Sequence, residues 1–297
     1  MTEGIIVKAL SGFYYVAASD RIIECKARGR FRLDGSSPLV GDRVQCSLDA
    51  AGKGRVDQVR ERRNWFIRPA VANIDMLVFV AANVNPVTDP FLVDRLSVIA
   101  AEADCEMLLC INKTDLDSAD ALYDTFSRVG FPVVRTSAET GAGVDALRAH
   151  LKGKTSAFTG NSGVGKSSLL NALIPGAEIR TGEVSEKLGR GRHTTRHVEL
   201  YALGEDTYVA DTPGFASLDV TMTNNIRKEQ LQYDFIDFAP YLGKCRFHDC
   251  AHLKEPGCAV RAAVEAGEIA AGRYRSYARL YELSAQQKFW EYELGPC

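Results

Sequence analysis

The sequence predicts an α/β chain in three parts: an all-β barrel over residues 1–62, a parallel-sheet unit flanked by helices over 63–225, and a Cys/His-rich helical unit over 226–297. Three observations predict this. Short alternating runs, separated by Gly, Asp and Ser clusters, crowd the first part. From residue 74 onward, continuous apolar runs alternate with stretches of helical spacing, as in a parallel sheet covered on both faces. Near the C-terminus Cys245, Cys250 and Cys258 gather with histidines.

The first part reads as strands Gly4–Leu10, Phe13–Ala17, Arg21–Ala27, Arg43–Leu48 and Gly54–Val59, a spacing that suits a small closed barrel of the OB-fold kind. Arg28, Arg30 and Arg32 alternate, so a strand would place them on one face, either as an RNA-backbone contact or as a solvated surface. Arg60 to Trp65 reads as a charged linker. The whole chain carries a net charge of −2, so any nucleic-acid contact must come from local patches. Its apolar runs are too short for a membrane span, the N-terminus lacks a signal-peptide pattern, and the eight cysteines, five scattered and three clustered with histidines, suit a reducing cytoplasm with one metal site better than a disulfide framework.

The second part opens with a buried strand over Ile74–Ala82 and a helix over Phe91–Ala103. A strand Glu106–Ile111 follows and leads into Asn112-Lys113-Thr114-Asp115, which fits N-K-x-D, the guanine-reading signature of GTPases. The chemistry is direct. The Asp115 carboxylate offers two acceptors to guanine N1–H and N2–H₂, Asn112 ties the loop, and the Lys113 stem covers the base. A helix over 119–129, a strand Pro132–Thr136 and a helix Gly143–Leu151 come next. The strand delivers Ser137-Ala138, matching the S-A motif whose backbone N–H contacts guanine O6. Strand Thr155–Thr159 then runs into Gly160-Asn161-Ser162-Gly163-Val164-Gly165-Lys166-Ser167-Ser168, and a helix follows to Leu173. This stretch fits G-x-x-x-x-G-K-[ST], the phosphate-binding loop, in its strand–loop–helix context. Its glycines aim backbone N–H groups at phosphate oxygens, Lys166 would reach the β- and γ-phosphates, and the Ser167 hydroxyl would ligate Mg²⁺.

Residues 180–197 are polar, glycine-rich and basic, and read as a mobile loop. Within it His193-Thr194-Thr195 lies where a GTPase places switch I. Position alone does not separate the two threonines; Thr195 is grouped with the catalytic candidates and Thr194 with the nucleotide contacts. A strand pair, His197–Tyr201 and Thr207–Ala210, delivers Asp211-Thr212-Pro213-Gly214, a D-x-x-G motif. Asp211 would hold Mg²⁺ through water and the Gly214 N–H would meet the γ-phosphate. Ordinary GTPases carry the phosphate loop first; here N-K-x-D and S-A precede it, so the unit is circularly permuted. In the third part Cys245, Cys250, His252 and Cys258 supply three thiolates and an imidazole, a donor set for one tetrahedral structural Zn²⁺, with His248 spare. A helix follows over Ile269–Gln287, its tyrosines placed for packing and Arg273, Arg275 and Arg279 for a partner surface or a solvated face.

These features together resemble the bacterial ribosome small-subunit-dependent GTPase A family (RsgA, also called YjeQ), over the whole chain. The resemblance rests on the barrel, the permuted motifs, the run Gly189-Arg190-Gly191-Arg192-His193-Thr194-Thr195 and the Cys-x₄-Cys-x-His-x₅-Cys cluster. It implies a cytoplasmic GTPase, expected as a monomer, that binds GTP/GDP, contacts the 30S ribosomal subunit and its 16S rRNA late in maturation, and is activated by that subunit. Gly214 is followed by Phe215, where many GTPases carry a water-positioning glutamine. Slow hydrolysis by the isolated protein is therefore expected. Leaning on the resemblance, His193 is the catalytic candidate in cis beside Lys166, because a neutral imidazole accepts a hydrogen bond from water. The competing readings are a nucleotide-gated RNA platform and a permuted GTPase of the large subunit.

Overall fold

The computed structural model describes residues 2–19, 21–29, 31, 37–50, 52–67, 69–174, 176, 179, 198–211 and 227–286. Five strands open the chain: β1 (Thr2–Leu10), β2 (Phe13–Ala18), β3 (Arg21–Ala27), β4 (Arg43–Leu48) and β5 (Gly54–Val59). β1 pairs antiparallel with β2 and β2 with β3; β3 runs parallel to β5, β5 pairs antiparallel with β4, and β4 returns to β1. The ring closes on itself, which removes free edges and gives the OB-type barrel the sequence predicts. Alternation fills its interior with Ile6, Val16, Cys25, Val44, Cys46 and Val56.

Two expectations for this part are corrected. Arg28 is not on a strand face: β3 ends at Ala27, and Arg28 forms an ion pair with Asp57 at 2.7 Å. Arg30 and Arg32 lie outside the described residues. The charged stretch at 60–65 is not a plain linker, because it runs into a hairpin of β6 (Trp65–Ile67) and β7 (Ala70–Ala72). Its arginines are anchors. Arg62 forks onto the fully buried Asp42 at 2.7 and 2.8 Å, and Arg63 pairs with Asp75 at 2.8 Å.

The second sheet contains β8 (Met76–Ala81), β9 (Glu106–Ile111), β10 (Val133–Arg135), β11 (Thr155–Thr159), β12 (Glu199–Gly204) and β13 (Thr207–Asp211). Their order is β10-β9-β8-β11-β13-β12, parallel except for the antiparallel β12. β12 also meets β1 through Lys8 and Glu199, whose side chains form a 3.0 Å ion pair, so barrel and sheet are continuous. Helices α1 (Pro90–Glu102), α2 (Asp120–Ser127), α3 (Val144–Leu151) and α4 (Lys166–Leu173) cover the sheet. β8 shows why its strand reads as unbroken apolar sequence. Leu77, Phe79 and Ala81 pack with α1 in one core layer, while Met76, Val78 and Val80 pack with Leu147, Leu169 and Leu170 in the other.

The C-terminal part holds α5 (Leu231–Asp234), a 3₁₀ helix (Ile236–Tyr241), α6 (Ala259–Glu265) and α7 (Ala271–Ala285). α7 packs on α1. The reading of Arg273 as surface is corrected here: it is 1% exposed and pairs with Asp94 of α1 at 2.8 Å and with Asp237 at 2.6 Å. An arginine satisfied by two carboxylates can be buried where its charge alone would place it outside. Arg275 is exposed, and Arg279 stacks over the Phe91 ring at 3.9 Å. Tyr277 is core, as its spacing suggests.

Candidate guanine-nucleotide and zinc sites

Four parallel strands deliver their carboxyl ends to one edge, the place where open α/β sheets bind ligands. β11 leads into the phosphate loop, β9 into Asn112, β10 into Ser137, and β13 ends at Asp211, paired in register with Phe158. The fully buried β11 fixes where the loop begins. Gly160 then turns with φ 140°, and a Cβ there would fall on the Val80 carbonyl oxygen. Gly165 at φ 93° lies just as tightly against the Asn112 side-chain nitrogen. No other residue fits either position. α4 starts at Lys166, so the loop N–H groups and the helix N-terminus share one concave side. The Lys166 ammonium donates to the carbonyl oxygens of Gly160 and Asn161, both at 2.7 Å, which holds it across the loop mouth. Ser167 is half-buried on the first helical turn and Ser168 is exposed.

Asn112 joins the motifs. It is 2% exposed, and its Nδ2 donates to the Val164 carbonyl in the phosphate loop at 2.9 Å. Its Oδ1 accepts from the Ala138 N–H at 3.1 Å and from the Thr136 hydroxyl at 3.2 Å. The Ala138 N–H, expected to meet guanine O6, therefore faces Asn112, and a base oxygen would have to share it. Ser137 is buried; its hydroxyl accepts from the Thr140 N–H at 3.2 Å and shapes the turn. Asp115 stands exposed at the edge, as a residue meeting an incoming base must. Lys113 takes a left-handed backbone, φ 63°, and its ammonium donates to the Asn85 carbonyl.

That last contact involves a loop the sequence reading passed over. Residues 83–88 follow β8, so they sit at the same sheet edge, and that position was the available signal. Asn83 Nδ2 donates to Asp117 Oδ1 at 3.0 Å, tying this loop to the one that carries Asp115. The Asn83 side chain and the Ala119 N–H hold the Asp117 carboxyl below its ordinary pKa. Of the remaining candidates, His193, Thr194, Thr195 and Gly214 lie outside the described residues, and Asp211 is placed by its backbone alone.

The second site is built from Cys245, Cys250, His252 and Cys258, whose ligand atoms all lie within 4.8 Å of one another. His252 Nδ1 is 3.5 Å from Cys245 Sγ and 3.4 Å from Cys258 Sγ. Its Nε2 faces Gln232 Oε1 at 2.9 Å, so Nε2 carries the proton and Nδ1 is left as the donor. Backbone N–H groups of Ala259 and Arg261 point at Cys245 and Cys258 sulfurs at 3.3 and 3.4 Å, favouring thiolates. Burial pushes the Cys250 thiol up to about 12, and neighbouring thiols add to it, which is the repulsion a divalent cation relieves. Glu255 accepts N–H bonds from Ala251, Leu253 and Lys254 at 3.2, 2.9 and 3.0 Å and so shapes the loop. Three soft sulfurs and one nitrogen converging on a point fit Zn²⁺ and fill a tetrahedral shell. His248 is exposed and outside the cluster.

The RsgA GTPase family matches residues 59–221 and the RsgA N-terminal domain family matches residues 3–56. The chain is 44% identical over 281 residues to the small ribosomal subunit biogenesis GTPase RsgA of Caldanaerobacter subterraneus, covering 94% of each chain. It is 43% identical over 294 residues to the protein of that name from Bacillus anthracis, covering 97% of this chain and 99% of the relative. Among solved structures, YjeQ from Thermotoga maritima superposes with a TM-score of 0.83 at 37% identity, covering 97% of this chain and 99% of that one. YloQ, a circularly permuted GTPase, superposes with a TM-score of 0.79 at 37% identity, covering 97% and 96%.

Proposed function

This chain belongs to the RsgA GTPase family, and on that premise we propose that it binds the 30S ribosomal subunit late in assembly and hydrolyses GTP faster when bound there. The observation that carries the reading is Asn112, one buried side chain bonded to the phosphate loop and to the Ala138 turn, beside an exposed Asp115. Phosphates and a guanine base are then read by one connected structure.

Lys166 and the loop N–H groups bind the phosphates and spread the charge that develops on the γ-phosphate. Ser167 on the first turn of α4 and Asp211 at the end of the neighbouring β13 are hard oxygen donors that suit Mg²⁺, which when bound neutralises phosphate charge. Asp115 orients guanine, and Lys113 shields the base. Thr194 or Thr195 senses the γ-phosphate, with the Gly214 N–H beside it. His193 positions the attacking water when the protein is bound to the particle. Cys245, Cys250, His252 and Cys258 would give zinc four protein ligands and no open position, so the metal would serve folding, not hydrolysis. The barrel and the zinc unit flank the GTPase sheet and offer two surfaces to 16S rRNA, with the protein acting as a cytoplasmic monomer.

The base reading is tested by titrating GDP, XDP and ADP into wild type and Asp115→Asn. Wild type should prefer GDP to ADP by at least about thirtyfold, since a polar group left unpaired under the bound base costs ~1–3 kcal/mol and two are at stake. Asp115→Asn should reverse the preference toward XDP. Equal affinity for GDP and ADP would end the guanine reading.

A further inference from the structure

Helix α1 starts at the loop beside the nucleotide site and meets the C-terminal unit along its first turns. At its start the 83–88 loop is closed onto the sheet: the Ala82 N–H donates to Thr88 Oγ1 at 3.0 Å, the Thr88 N–H donates to the Ala82 carbonyl at 2.8 Å, and Asp89 caps α1 by accepting from the Phe91 N–H at 3.0 Å. This closed loop presents the Asn85 carbonyl to Lys113 and the Asn83 amide to Asp117. The loop thus joins the sheet to the start of the helix, and Lys113 rests on it through the Asn85 carbonyl.

Further along, α1 is held by the C-terminal unit. Arg273 donates to Asp94 at 2.8 Å and Ser97 at 3.4 Å on α1, and to Asp237 at 3.2 and 2.6 Å. Its guanidinium lies 4.5 Å over the Phe235 ring, so the fork is fixed on three sides. The next residue, Tyr274, donates its hydroxyl to the backbone carbonyl of the zinc-ligand candidate His252 at 2.9 Å. Tyr277, one helical turn on, donates to the Ala251 carbonyl at 2.9 Å. One face of α7 thus holds the cysteine loop while Arg273 holds α1.

We propose that Arg273 is a positioning residue for guanine-nucleotide binding, coupling the folded zinc loop through α1 to the loop that holds Lys113. This rests on the guanine reading of Asn112–Asp115. Zinc occupancy and GDP affinity are then linked, and linkage is reciprocal: whatever factor zinc adds to GDP affinity, GDP adds to zinc affinity. Burial raises the Asp94 pKa and Arg273 opposes that rise. An Arg273→Met variant would leave Asp94 to take up a proton and release the helix.

The test uses the full chain, zinc-loaded and zinc-stripped, as wild type, Arg273→Met and Arg273→Lys. A fluorescent GDP analogue reports nucleotide affinity, and a chromophoric chelator reports zinc release. Stripping zinc should weaken GDP binding by wild type about tenfold, within the usual range for coupled sites. Saturating GDP should raise zinc affinity by the same factor. Arg273→Met should bind GDP more weakly from the start and show almost no further response to zinc; Arg273→Lys, which keeps a charge for Asp94, should recover part of the coupling. A residue that only stabilised the fold would give additive losses. Wild-type GDP affinity indifferent to zinc would overturn the proposal whatever the variants do, and so would an undiminished zinc response in Arg273→Met. The guanine reading fails separately, if wild type with zinc bound does not prefer GDP to ADP.

Discussion

Replacing Asn112 with alanine probes the joint between the two halves of the nucleotide site. The side chain is 2% exposed and makes three hydrogen bonds, to the Val164 carbonyl at 2.9 Å, the Ala138 N–H at 3.1 Å and the Thr136 hydroxyl at 3.2 Å. At a net value of ~1 kcal/mol each, their loss amounts to about 3 kcal/mol. Alanine also leaves a cavity beneath Gly165, whose backbone rests against the asparagine amide. The loss divides between folding and binding, so both must be read. Thermal unfolding with and without GDP, together with titration of a fluorescent GDP analogue, separates them. If most of the loss falls on the bound state, GDP affinity drops about a hundredfold, since 1.4 kcal/mol is a factor of ten. An Asn112→Ala protein that melts as wild type does and binds GDP within about threefold would refute the role given to this side chain.

Three further outcomes follow from buried contacts. Gly160→Ala should abolish GDP binding and lower the melting temperature, because φ is 140° there and the new Cβ meets the Val80 carbonyl; unchanged GDP affinity would contradict this. Arg62→Ala leaves Asp42 fully buried and without its forked partner, and should destabilise the protein by ~3 kcal/mol, measured by urea unfolding; a loss under ~1 kcal/mol would show the pair to be dispensable. The third concerns the buried Asp234 on α5 and its exposed neighbour Glu102 on α1: burial, then the charge of Glu102, pushes Asp234 up to about 8. A carboxyl whose folded pKa lies above its unfolded value holds its proton more tightly when folded, so its stabilising contribution is greatest in acid and is lost as pH rises toward about 8. Asp234→Asn should therefore melt higher than wild type at pH 9 and show a flatter pH dependence from pH 6 to 9; parallel curves would remove the pair from the account.

Much of the nucleotide site is legible in the sequence because its chemistry demands fixed residues at strand ends. The run Glu106–Ile111 reads as a buried strand and is one, so the position of Asn112 follows from periodicity alone. The barrel is legible because buried and outward residues alternate along β3 and β4 and at the start of β5, whereas β1 buries Ile5, Ile6 and Val7 in succession. Buried charge is what hides the rest. Arg62 and Arg273 look like solvent-facing residues by type, and only the buried carboxylates brought to them by distant parts of the chain make them structural. Lys113 illustrates a second limit: its partner is the Asn85 main-chain carbonyl, and a backbone acceptor leaves no mark on residue identity. His248, read as the spare histidine, lies exposed outside the cluster, and the Gln232 bond to the His252 ring comes from α5 and has no local signal.

The central claim is that this GTPase is switched on by the small ribosomal subunit. It is tested most directly by GTP turnover of the purified protein alone, with 30S subunits and with 50S subunits. Turnover should be slow alone, rise strongly with 30S and stay low with 50S, because a Phe at 215 supplies no side chain to orient water. Equal stimulation by both subunits, or by neither, would contradict the claim and leave a guanine-nucleotide-binding protein with a different partner.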